Sequence, residues 1–238
     1  MADSYYHRAI YGRWDEDGPR RRLEVRTELV ELLAKREAKE ELLAELLPLQ
    51  AEMDGDAATQ AWLARLYLVS GAPARAAALF REILRARPED RQAHAGLGEA
   101  ELALGNYRTA RSAFESALRL DPTDRAASEG RVLAAEVLAM DPLSRGVGSE
   151  ERWRRTLRIL EIAKQGVERC GVASESVSQL GEKARSLTKR RVPAQNRLEA
   201  IEEGLDLAEQ LWQARSKCRA ESRVETAVEL VLAKAAAR

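Results

Sequence analysis

Gly71 and Gly105, Ala76 and Ala110, Phe80 and Phe114, Pro88 and Pro122, and Asp90 and Asp124 each stand 34 residues apart. The chain has only two Phe, and both occupy the same place in this period. A period of that length means one supersecondary unit laid end to end, with each copy burying its apolar face on the next. Within each copy the pattern is a helical hairpin. Leu63, Leu66 and Tyr67 precede Gly71, and Ala76, Leu79, Phe80 and Ile83 follow it at helical spacing. The second copy runs Leu97, Ala100 and Leu104 before Gly105, then Ala110, Ala113, Phe114 and Ala117. Gly71 and Gly105 suit the left-handed residue that ends a helix. Pro88 and Pro122 stop the second helix, because a residue before proline avoids helical angles.

Residues 57–90 and 91–124 resemble the tetratricopeptide repeat, a 34-residue helix–turn–helix. Leu63 and Leu97 match the family's Leu, Ala64 and Gly98 its Gly, and Ala76/Ala110, Phe80/Phe114 and Pro88/Pro122 its Ala, aromatic and Pro. Gln60 and His94 depart from its usual Trp, and Glu101 replaces the usual Tyr that Tyr67 keeps. The resemblance implies that the first helix of each unit lines a groove for a peptide or a helix. Carried over by position, that groove takes Ala58, Ala61, Arg65, Leu68 and Val69 from one copy and Gln92, Ala95, Glu99, Leu102 and Ala103 from the next. A capping helix adds Glu129, Leu133, Glu136 and Val137. Family members that clamp a terminal carboxylate use Lys and Asn there. This groove has neither, so an amphipathic helix that buries its apolar face is the better ligand.

The flanks are less regular. Residues 1–22 are an aromatic-rich segment in which Tyr5, Tyr6, Tyr11 and Trp14 precede a break at Asp15–Gly18 and Pro19. These rings either dock on adjacent helices or offer large contact area to a partner. Residues 23–56 read as a degenerate repeat, with Leu29, Val30 and Leu33 on a first helix and Leu42, Leu46 and Leu49 on a second. Charged residues 35–41 stand where the glycine turn belongs, and Pro48 predicts a kink or a shortened helix. Asp54–Gly55–Asp56 closes the unit and offers a cap to the next helix. Residues 125–140 give the capping helix, and residues 141–149, with Pro142, Gly146 and Gly148, read as a linker or hinge. Residues 150–238 are a separate helical section. Its stripes are Trp153–Leu157–Leu160–Ala163–Val167, Val177–Leu180–Ala184–Leu187, Leu198–Ile201–Leu205–Ala208–Trp212 and Val224–Val228–Val231–Ala235. They predict an antiparallel bundle, or else one long helix over 193–238 that reaches back over the repeats.

Charge and composition exclude more than they identify. Abundant Ala, Leu, Arg and Glu with few aromatics point to an all-α chain, a short helical-hairpin solenoid followed by a C-terminal bundle or long helix. The net charge is zero, split between about −5 over residues 1–56 and about +4 over 149–238. Glu is interleaved throughout, so no nucleic acid partner is expected. No run of about 20 apolar residues is present, so no membrane insertion is expected. The start lacks a hydrophobic signal core, and the expected location is cytoplasmic. Cys170 and Cys218 are too few for a disulfide framework, and the expectation is a reduced pair. With only His7 and His94 and no metal-ligand spacing or phosphate-binding loop, no enzyme, metal or cofactor is expected. His94 reads as a packing residue. The functional expectation is a non-enzymatic interaction module or scaffold that binds a partner helix or peptide in the groove, with the C-terminal helices as a candidate self-cap. The alternative is a structural homo-oligomer assembled through those helices.

Overall fold

The computed structural model describes residues 2–14, 17–53, 55–215, 218–220 and 222–236. Asp15, Glu16 and Asp54, which enter the expected breaks, lie outside these residues. The described residues form twelve α-helices and a single 3-10 turn, with no strand. They fall into two compact units, Met1–Arg131 and Val132–Arg238.

Unit 1 is a stack of helical hairpins. It contains α1 (Ala2–Tyr11), α2 (Gly18–Lys35), α3 (Lys39–Glu52), α4 (Ala57–Val69), α5 (Pro73–Ala86), α6 (Arg91–Ala103), α7 (Tyr107–Leu120) and the first turns of α8 (Arg125–Met140). From α1 to α7 each helix packs on the next in chain order. The period appears in the backbone as well as in the residues. Asp56, Asp90 and Asp124 each accept a hydrogen bond from the amide three residues on, at 2.7, 3.0 and 2.9 Å, and so cap α4, α6 and α8. The turns closing α4 and α6 place Gly71 and Gly105 at φ 77° and 74°. The turn after α2 has the same form, with Glu37 at φ 55°. In all three, the next amide reaches back to Leu33, Tyr67 or Glu101 O. The degenerate repeat therefore keeps the turn and lacks only its glycine. Nor does Pro48 shorten its second helix, since α3 runs through Pro48 to Glu52.

Phe80 and Phe114 explain why the period holds. Both are buried, and burying such a side chain contributes about 1.5–3 kcal/mol. The Phe80 ring lies on Gly96 of the following helix, and the Phe114 ring lies on Gly98 and Gly130. A Cβ at Gly98 would come 2.6 Å from the Phe114 ring, and one at Gly96 would overlap the Phe80 ring. Gly96 and Gly130 are themselves 34 residues apart. At the corresponding places of the preceding pair stand Leu46 and Trp62, a smaller side chain in place of Phe and a larger one in place of Gly.

Unit 2 takes the rest of α8, then α9 (Ser149–Arg169), α10 (Glu175–Lys189), the 3-10 turn Ala194–Asn196, α11 (Arg197–Ala214) and α12 (Arg223–Ala236). The α9–α11 pair is its centre, and α10 and α12 each pack on both. The single long helix over 193–238 is not formed, because α11 ends at Ala214 and α12 begins at Arg223. The apolar face of α11 runs through Ile201, Leu205, Ala208 and Leu211, whereas Leu198 is 64% exposed. The expected hinge is instead packed: Asp141, Pro142 and Ser144 are buried. Arg155 Nη1 donates to Leu138 O and Asp141 O at 2.9 and 3.0 Å, which satisfies open carbonyls at the end of α8. Lys234 Nζ reaches Asp141 Oδ2 at 3.1 Å. The cysteines correct the sequence reading most directly. Cys170 and Cys218 form a disulfide, with Cα atoms 6.2 Å apart across 48 residues of chain.

Candidate functional site

The 34-residue register lays the first helices of unit 1 side by side, so equivalent positions form rows across α2, α4 and α6. One row reads Glu31, Arg65, Glu99, and a second reads Thr27, Ala61, Ala95. The turn-side rows read Ala34, Leu68, Leu102 and Lys35, Val69, Ala103. These side chains are not the buried ones of their helices. Arg65, Gln92 and Glu99 are exposed, Leu68 and Leu102 half-buried, and Val69 is 41% exposed. The face is therefore small and apolar, with charges of alternating sign along one row.

Electrostatics ties Arg65 to Glu99. Partial burial by surrounding protein pushes the Glu99 carboxyl above its ordinary value, the nearby Arg65 guanidinium pulls it back, and Asp124 pushes it up again. A cavity of about 280 Å³ lies between α2 and α4, lined by Thr27, Glu31, Met53, Ala58, Thr59 and Trp62. Sequence reading missed the contribution of α2. The signal was present, since Thr27 and Glu31 stand one period before Ala61 and Arg65.

Leu133 and Glu136 belong to the second unit. Glu136 Oε2 accepts from Arg223 Nε of α12 at 2.9 Å. Val137, also expected on the groove, is fully buried. The N-terminal aromatics divide in two. Tyr6 packs on the unit 1 core, and half-buried Trp14 donates its indole N–H to Ala9 O at 2.7 Å, with Arg21 over its ring. Tyr5 and Tyr11 are 66% and 68% exposed, and the Tyr11 ring stacks on His7. His94 does more than pack, since its Nε2 lies 2.9 Å from Pro88 O and ties the start of α6 to the turn before it. Among the described residues, no group of three His, Cys, Asp or Glu is placed to hold a metal ion.

A helical-repeat stack with an open first-helix face defines a class of binding scaffold. Residues 63–125 and 96–138 match the family model described as tetratricopeptide repeat. Residues 63–138 of this chain thus match tetratricopeptide repeats, modules that generally mediate protein–protein interaction or scaffolding. No curated protein matches the chain.

Proposed function

We propose that the first-helix face of α2, α4 and α6 binds a partner protein through an amphipathic helix or peptide, without catalysis. One observation carries this reading: Val69, Leu68 and Leu102 lie open or half-open beside small residues, in a family whose repeats mediate protein contact. A helix laid on such a face buries apolar side chains against the small ones and meets Arg65 and Glu99 with its own charges. Tyr5 and Tyr11 remain a proposed accessory contact of unit 1.

The homo-oligomer reading is weaker. The apolar residues that would pair copies, among them Ala208, Leu211, Val228 and Val231, are buried. The same burial weighs against a C-terminal helix free to fill the face. Among the described residues no helix is long and apolar enough to cross a membrane. The disulfide weighs against the cytoplasmic location expected from sequence, because such bonds persist in oxidising compartments.

The test is affinity capture on the full chain beside the double variant Arg65→Glu/Glu99→Arg and the single variant Val69→Asp. The expected result is loss of a shared set of captured proteins by both variants, with unfolding midpoints unchanged. Retention of the whole set by both removes the face as a binding site.

A further inference from the structure

Cys170 is the cap that ends α9, and Cys218 lies in the connection between α11 and α12. Both residues are half-buried, so neither is sealed in a core. Beside the bond sits a buried ionic cluster. Arg215 is 3% exposed, and its guanidinium lies 3.9 Å from the centre of the Trp212 ring. Its Nη1 donates to Glu225 Oε1 at 3.0 Å, and its Nη2 donates to Arg219 O at 3.2 Å. Arg169, next to Cys170, pairs with the same Glu225 carboxylate. Gly166 of α9 makes room, since a Cβ there would stand 2.6 Å from Arg215 Nη1. A cavity of about 430 Å³ beside the bond is lined by Trp212, Arg215, Cys218, Arg219, Ala220 and Glu229.

We propose that Cys170–Cys218 is a redox latch: a dithiol reductant opens it by thiol–disulfide exchange, and opening releases α12 and the connection before it from α9. The cavity admits the reductant thiolate to Cys218 Sγ. Attack there forms a mixed disulfide and expels Cys170 as thiolate, which takes a proton. The second thiol of the reductant attacks its own sulfur in the mixed disulfide and closes a cyclic disulfide. Cys218 leaves as thiolate beside two arginines and is protonated in its turn. The protein gains two electrons and two protons, and the dithiol loses the same.

The structure accounts for why opening is local. The disulfide closes a long loop that passes through α10 and α11, and it fixes the connection against the end of α9. The buried Arg215–Glu225 pair, with half-exposed Arg169 on the same carboxylate, holds well only while water is excluded, because its charges gave up hydration to enter the protein. Once the connection is free, water enters the cavity and the cluster holds α12 less firmly. α12 then keeps its apolar face and the pairs Arg223–Glu136 and Lys234–Asp141. All of these contacts lie within unit 2.

Hydrogen exchange read by mass spectrometry tests this on the full chain, oxidised and after treatment with dithiothreitol, with alkylation to count free thiols. The expected result has three parts: both thiols are freed under native conditions, amides over 222–236 exchange at least tenfold faster, and amides over 57–120 are unchanged. Reoxidation restores protection. The double variant Cys170→Ser/Cys218→Ser reproduces the reduced pattern with no reductant present. A disulfide that resists dithiothreitol in the native chain overturns the proposal, as does unchanged protection in α12 once both thiols are free. Uniform loss of protection over 149–236 also overturns it, because the bond would then be a staple for the whole bundle.

Discussion

Tyr67 and Glu101 occupy the same position in consecutive repeats, one an aromatic ring and the other a carboxylate, and both are fully buried. Around Tyr67, the hydroxyl donates to Gln50 Oε1 at 2.6 Å, beside Leu46 O at 3.4 Å. Around Glu101, Arg81 and Asn106 Nδ2 donate to the carboxylate, the latter at 2.8 Å. One period earlier than Arg81, Asn106 and Leu84 stand Leu47, Ala72 and Gln50. Wherever the central residue changes character, its partners change with it. The backbone of the repeat is thus constant while each buried polar group is satisfied by a local set, as burial requires. A repeat that departs from its consensus at one residue has been refitted at three others.

The largest effect comes from emptying the aromatic position. Tyr67→Ala should lower stability by about 3–5 kcal/mol through the cavity it leaves, whereas Tyr67→Phe loses only the hydroxyl bond, about 1 kcal/mol. Denaturant unfolding distinguishes these, and equal losses would mean that the hydroxyl rather than the ring carries the position. Transplanting one solution into the other repeat is a finer test. Glu101→Tyr should cost about 1–3 kcal/mol, because its hydroxyl would meet Leu84 in place of a Gln. Adding Leu84→Gln should recover about 1 kcal/mol of that. A double-mutant cycle with no coupling between the two changes would show that the partners do not act as a set.

The repeats were legible because their determinants lie close together in sequence and recur. Gly71, Phe80, Pro88 and Asp90 each act within a turn or on the next helix, and a second copy 34 residues on exposes the pattern. The C-terminal section hides its determinants because they act over long separations. Arg215 meets Glu225 from another helix, Lys234 meets Asp141, and Cys170 meets Cys218, with no period to mark them. Cysteine number alone pointed the wrong way, since pairing depends on whether the fold brings two loops together. Of the candidate site, Arg65, Leu68, Val69, Gln92, Glu99 and Leu102 were carried over from the family resemblance by register, and the site itself is a proposal. The pairing of Glu136 with Arg223 was not legible, because it comes from a helix that the period does not reach.

Glu37 shows the same divide on a smaller scale. It was read as a charged replacement for the glycine turn, yet it adopts the glycine's conformation. A side chain in that left-handed region costs about 1–2 kcal/mol, partly offset because glycine is freer in the unfolded chain. Glu37→Gly should therefore stabilise unit 1 by about 0.5–1 kcal/mol, and Gly71→Glu should cost about as much. If Glu37→Gly gave no gain in a denaturant midpoint, contacts of the Glu37 side chain would have to offset the strain.

The smallest effect lies in the row shared by Arg65 and Glu99, where consecutive repeats carry opposite charges at one position. Burial raises the Glu99 carboxyl more than Arg65 lowers it. A carboxyl whose folded value lies above its unfolded value binds more protons in the native state between the two. Stability then falls as pH rises through that window, and the loss is complete above it. Glu99→Gln should remove this slope. The variant should match the native chain below the ordinary carboxylate range and be slightly more stable near neutrality, as read from unfolding midpoints against pH. The opposite slope, with the native chain gaining stability over the same interval, would mean that attraction to Arg65 outweighs burial. The face would then be held as an ion pair in the free protein, and a partner would have to break that pair to bind. With the slope as expected, Glu99 is destabilised until a partner's cation reaches it, and binding should raise stability more at neutral pH than at acid pH.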